Sequence, residues 1–168
     1  DNGDDVARNL PSESHIRGRL RELYKKMPAA SDVDGRAHVA TGSRVKTYRS
    51  DPPVSGPHWN YAYAPLAWGV YTQPIPDEVL VHNLEHGGVL VQYNSADVTL
   101  IDQLEALVQS QRNYPCYLIT APYTNMDSTI ALTAWGVIQY LDVYDEQAII
   151  DFIDAYRDRG PEKVPCTP

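Results

Sequence analysis

Apolar positions along this chain recur with two periods, near 3.6 residues and near 2. Ile16, Leu20, Leu23 and Tyr24 follow Ser12-Glu13-Ser14 at helical spacing, with basic residues on the other face. This predicts a helix ending near Met27, before Pro28. Leu100, Ile101, Leu104, Leu107 and Val108 form a second stripe behind Asp97, a good N-cap, and predict a helix to about Gln111. Ile149, Phe152, Ile153 and Tyr156 form a third, capped by Asp145 and closed by Gly160-Pro161. Residues 45–48, 89–93, 117–121 and 130–141 read as strands, the last two separated by a turn near residues 125–128. Asp77-Glu78 after Pro76 favours a helix start, yet Val79-Leu80-Val81 reads equally as strand; Gly87-Gly88 ends either.

The remaining segments are irregular but not low in complexity. Residues 28–44 read as loop. In Asp51-Pro52-Pro53-Val54-Ser55-Gly56-Pro57-His58-Trp59, three prolines and a glycine exclude helix and fix the backbone path, so His58 is presented from a stiff loop. Residues 60–76 carry Tyr61, Tyr63, Trp68 and Tyr71 among prolines and read as an ordered aromatic loop. The expected class is α+β: an antiparallel sheet with helices packed on one face, plus the N-terminal helix and long ordered loops. Residues 1–35 form an arm and helix, and residues 36–168 a single α+β domain.

Composition narrows the function classes. A net charge of -8 argues against nucleic acid and anionic membrane surfaces. No apolar run approaches the ~20 residues needed for a transmembrane segment. The chain opens on Asp1-Asn2-Gly3-Asp4-Asp5 without a leader, as a mature secreted protein does. Cys116 and Cys166 read as one disulfide pinning the tail to the core, which fits an extracytoplasmic location.

The chemistry concentrates in histidine. Of five, His82 and His86 lie four apart, a spacing that puts both on one helix face. Imidazole suits zinc, copper, nickel and iron. A third ligand would come from the stiff His58 loop first and from His38 second. Met126, a soft thioether, would favour Cu(I) if it completed the shell, though a gap-filling core methionine is commoner. Glu85 ranks as a support orienting a histidine, then as a solvated charge, then as a ligand. Trp59 and Trp135 would line such a pocket or belong to the core. His82-Asn83-Leu84-Glu85-His86 also matches the H-x-x-E-H pattern of one class of zinc peptidases, with Glu85 as base, but Gly87-Gly88 would cut that helix short. No phosphate loop and no nucleophile elbow are present.

Several of these segments together resemble one family. Residues 51–58, Leu80-Val81-His82-Asn83-Leu84-Glu85-His86-Gly87-Gly88, Leu132-Thr133-Ala134-Trp135-Gly136, Ala37-His38-Val39 and the closing Tyr156-Arg157-Asp158-Arg159-Gly160-Pro161-Glu162 look like the signature blocks of domain of unknown function 3105. The resemblance runs from about residue 36 to 162. It implies a secreted or membrane-anchored bacterial or archaeal protein, and it gathers His38, His58, His82, Glu85 and His86 into motif blocks while leaving His15 outside. Three readings follow. The first is an extracytoplasmic, non-catalytic protein holding one metal ion, copper before zinc. The second is a metal-dependent enzyme, either a hydrolase with Glu85 as base or a copper oxidoreductase. The third is a structural subunit of a homo-oligomer, surface assembly or filament.

Overall fold

Val89-Leu90-Val91-Gln92-Tyr93 is buried along its whole length, and it becomes the central strand of the sheet. The computed structural model describes residues 35–167; the expected N-terminal arm and the helix over residues 12–27 lie outside the described residues. Five strands form this sheet: β3 (Gly69–Val70), β4 (Val89–Tyr93), β5 (Leu118–Pro122), β6 (Ile130–Ala134) and β7 (Val137–Leu141), in the order β3-β5-β4-β6-β7. A separate two-stranded ladder joins β1 (His38–Val39) to β2 (His58–Trp59). Three helices complete the described fold: α1 (Asp77–Glu85), α2 (Val98–Gln109) and α3 (Glu146–Tyr156).

The α+β class is observed, but the sheet is mixed rather than antiparallel. β5 pairs parallel with both β3 and β4, whereas β4–β6 and β6–β7 are antiparallel. The reason is α2, which carries the chain from β4 back to the start of β5 as a crossover connection. Helices also cover both faces rather than one. Val89, Val91, Tyr93, Leu118, Ile130 and Leu132 turn to α2 and α3, meeting Leu104, Leu107, Val108, Ile149, Phe152 and Ile153. The alternate positions Leu90, Ile119 and Ala121 turn to α1, meeting Leu80 and Leu84, with Trp68, Tyr71, Ile75 and Trp135 around them.

Other local expectations meet tertiary context. Residues 45–48 form no strand, since the Val45 N–H donates to the Glu78 carboxylate at 2.7 Å instead of to a ladder. Residues 130–141 fold as a hairpin, turned by Trp135-Gly136 with Gly136 at φ +73°. The Gly136 N–H donates to Val54 O at 2.8 Å, which ties this turn to the Pro-rich loop. Residues 79–81 resolve as helix. Among the described residues no helix is long and apolar enough to cross a membrane.

The tail is held covalently. Cys116 and Cys166 are bonded, closing a loop across 50 positions. Loop entropy for that span corresponds to about 4 kcal/mol. The double variant Cys116→Ser/Cys166→Ser is expected to lose stability of this order in urea unfolding at neutral pH, and an unchanged midpoint would contradict the tail's role as a clamp.

Candidate metal centre

Three segments remote in sequence converge on α1. The helix starts after Pro76 with Asp77 and Glu78 in its first turn, and every residue from Glu78 to Glu85 is buried. It ends at the glycines. Gly87 sits at φ +91°, and a Cβ there would lie 2.9 Å from Asp158 Cα. A Cβ on Gly88 would meet Asn83 O and the Trp68 ring, each at 2.8 Å. Within α1, His82 and Glu85 are three apart and so share a face. Asn83, given no role by sequence reasoning, bonds the Leu66 backbone twice at 2.9 Å, which fastens the aromatic loop to the helix.

The second contribution is the small ladder. β1 pairs parallel with β2 in a register that sets His38 against His58. Residue 58 reaches this ladder because the Pro-rich loop holds it there, its N–H donating to Ala37 O at 3.0 Å. Three imidazoles therefore meet: ring centroids lie 4.8 Å apart for His38–His58, 4.9 Å for His58–His82 and 5.4 Å for His38–His82. Glu85 reaches into the same group. One donor atom from each of His38, His58, His82 and Glu85 lies within 4.8 Å of every other.

Hydrogen bonds to backbone carbonyls fix the rings. His58 Nδ1 lies 2.9 Å from Gly56 O, and His82 Nδ1 lies 2.8 Å from Trp59 O. A carbonyl only accepts, so each Nδ1 carries a proton, and a neutral ring then keeps its lone pair at Nε2. His58 Nε2 lies 2.9 Å from Glu85 Oε2 in a setting where His58 is fully buried and Glu85 almost so. With both side chains buried, two bare acceptors do not stay at that distance; a proton or a cation lies between them. His38 Nε2 stands 3.8 Å from the same oxygen, on a side chain that is 45% exposed, so the group opens to solvent on that side. Burial pushes His82 down to about 4, the Trp59 carbonyl opposing this and His86, His58 and His38 adding to it. His82 is thus neutral at physiological pH, the state in which imidazole binds a metal.

Glu85, ranked first as a supporting residue by sequence reasoning, has its carboxylate inside the donor group itself. His86 lies beyond the first donor group. It is the C-cap of α1, its ring stands edge-on to His82 at 4.6 Å between centroids, and its Nε2 lies 3.2 Å from Glu162 Oε2. It falls into a second donor group with Glu85 and Glu162. In the H-x-x-E-H segment the glutamate lies 2.9 Å from His58 Nε2 and His86 lies 3.2 Å from Glu162 Oε2. Met126 lies on the β5–β6 loop, where its carbonyl accepts from Asn94, and it lines a surface depression with Tyr48, Asp51 and Tyr140. Trp59 donates its indole N–H to Ser43 O at 2.7 Å, and Trp135 packs on the α1 face of the sheet. Glu162 was not singled out as a site residue, although it closes the last of the sequence blocks.

The donor set fits a metal. A tetrahedral ion with bonds of about 2.0–2.1 Å needs donors about 3.3 Å apart, so closing this group requires shifts on the order of 1 Å.

A model of the family described as "Protein of unknown function (DUF3105)" matches residues 38–168. The chain belongs to this family. No curated protein and no solved structure matches it. The match begins at His38, so all four residues of the first group and all three of the second lie within the family region.

The His82 environment predicts a pH signature for the metal-free protein. Its folded value of about 4 lies below the ordinary 6.5, so the unfolded chain binds more protons between the two. The associated stability is complete above pH 6.5 and is lost as pH falls to 4, by roughly 3 kcal/mol. Asp77, raised from 3.8 to about 6 by burial and by Glu78 and Asp51, acts in the opposite sense across much of the same window. The difference between wild type and His82→Asn isolates the histidine. That difference should widen from pH 4 to 6.5 in denaturant titrations with chelator present; a constant difference would refute the assignment.

Proposed function

We propose that this is an extracytoplasmic metal-binding protein whose ion is held by His38, His58, His82 and Glu85. The observation that carries the reading is the pair of backbone carbonyls, Gly56 O and Trp59 O, that orient His58 and His82 with Glu85 Oε2 2.9 Å from His58 Nε2. Orientation of imidazole by hydrogen bonding at its other nitrogen is the usual support of a metal ligand. Three imidazoles and a carboxylate, with no sulfur donor, favour a divalent ion over Cu(I). Copper(II) ranks first by the general affinity order and zinc second. Bound there, the ion would supply the positive charge that Glu85 and His58 require between them.

The role proposed is binding rather than turnover. Four donors are enough to fill a four-coordinate shell, and closed shells belong to structural sites. Glu85 is engaged with His58, which leaves it poorly suited to act as a free base. The exposure of His38 supports a second reading, a metal-dependent enzyme in which that position opens to water or substrate. The Cys116–Cys166 bond supports a location outside the cytoplasm, since disulfides persist in oxidising compartments.

Chelator-treated protein dialysed against Cu(II) or Zn(II) should retain metal through a competitor wash. His58→Ala and His82→Ala should each weaken retention by at least about 100-fold, and His38→Ala, at the solvent-exposed ligand, by less. Failure of the wild type to retain either ion, or retention indifferent to His58 and His82, would overturn the proposal.

A further inference from the structure

The C-terminal tail passes directly over the end of α1. Asp158 N–H donates to Gly87 O at 2.9 Å and Glu162 N–H donates to Glu85 O at 3.1 Å, bracketing Gly160. A Cβ on Gly160 would collide with Glu85 O and Gly87 N, so no larger residue fits at this crossing. The disulfide at Cys166 anchors the same tail four residues beyond Glu162. Glu162 is thereby delivered to His86, whose Nε2 lies 3.2 Å from Glu162 Oε2. His86 is 7% exposed and Glu85 4%, so the imidazole and one carboxylate are inside, while the Glu162 side chain is half in solvent.

One donor atom from each of Glu85, His86 and Glu162 lies within 4.8 Å of the other two. Two carboxylates this close repel each other unless a cation or proton intervenes. Glu85 is also a member of the His38, His58 and His82 group. A carboxylate has two oxygens and can bridge two ions, and paired ions held this way stand about 3.5–4 Å apart.

We propose that Glu85, His86 and Glu162 form a second divalent-cation position beside the first, with the Glu85 carboxylate shared between the two. Its donor set, one nitrogen and two oxygens, is harder than that of the first position and partly open to water, so it binds more weakly and is filled second. The tail is then part of the centre, because its close glycine contact and its disulfide hold Glu162 on His86. This inference deepens the metal-binding reading and depends on it for the bridge, but its own ligands are separate.

Equilibrium dialysis of chelator-treated protein against rising Zn(II), with metal analysis, counts the positions. Wild type should take up two equivalents. Glu162→Gln, an exposed and conservative change, should take up one, and His86→Asn likewise; His58→Ala should lose the tighter equivalent. Loading with Cu(II) adds a signature that folding defects do not mimic: paired ions couple magnetically, so the wild type should lose spin-resonance intensity that Glu162→Gln at one equivalent retains. A single equivalent unaffected by Glu162→Gln but lost in His58→Ala would overturn the second position alone. A single wild-type equivalent that is lost in Glu162→Gln but kept in His58→Ala would overturn the first position alone. No uptake would overturn both.

Discussion

His58 and Glu85 meet 2.9 Å apart, both buried, and His58 Nδ1 is already engaged in donating to Gly56 O. The contact needs a proton or a cation between its two atoms, and much of the described fold can be understood as holding those atoms in place. The Pro-rich loop supplies the two carbonyls that orient the rings. The two-stranded ladder sets His38 beside His58. The helix α1, buried along nearly its whole length, carries His82 and Glu85 on one face and rests on the sheet through Leu80 and Leu84.

The glycines set how close these parts come. Gly87 and Gly88 stop α1 and let Trp68 and the tail approach the helix end, and Gly160 lets the tail cross over Glu85. A side chain at Gly87 or Gly160 would push the tail away and carry Glu162 off His86, and one at Gly88 would displace Trp68. The same compactness explains the fate of residues 45–48: their backbone serves the Glu78 carboxylate, so the apolar pattern that suggests a strand finds no ladder to join.

The sequence made the helices α2 and α3 and strand β4 legible because each buries a regular stripe, and Asp97 and Asp145 cap their helices with side-chain bonds as expected. It also pointed to His38, His58 and His82, through the stiff loop and the family blocks. Other features were not legible. The pairing of His86 with Glu162 was hidden because the two are remote in sequence and the tail's path over the helix end leaves no local pattern. Strand direction around β5 depends on a crossover whose partner cannot be read from local periodicity. The entry of Glu85 into the donor group depends on its distance from a histidine 27 positions away. The hairpin at Trp135-Gly136 was hidden because both arms are apolar enough to read as one strand.

X-ray absorption at the metal edge tests the central claim most directly, on protein loaded with one equivalent of zinc. The account predicts a first shell of nitrogen and oxygen at about 2.0–2.1 Å with the multiple-scattering pattern of three imidazoles. A sulfur scatterer at about 2.3 Å, or a shell of light atoms without imidazole scattering, would contradict it.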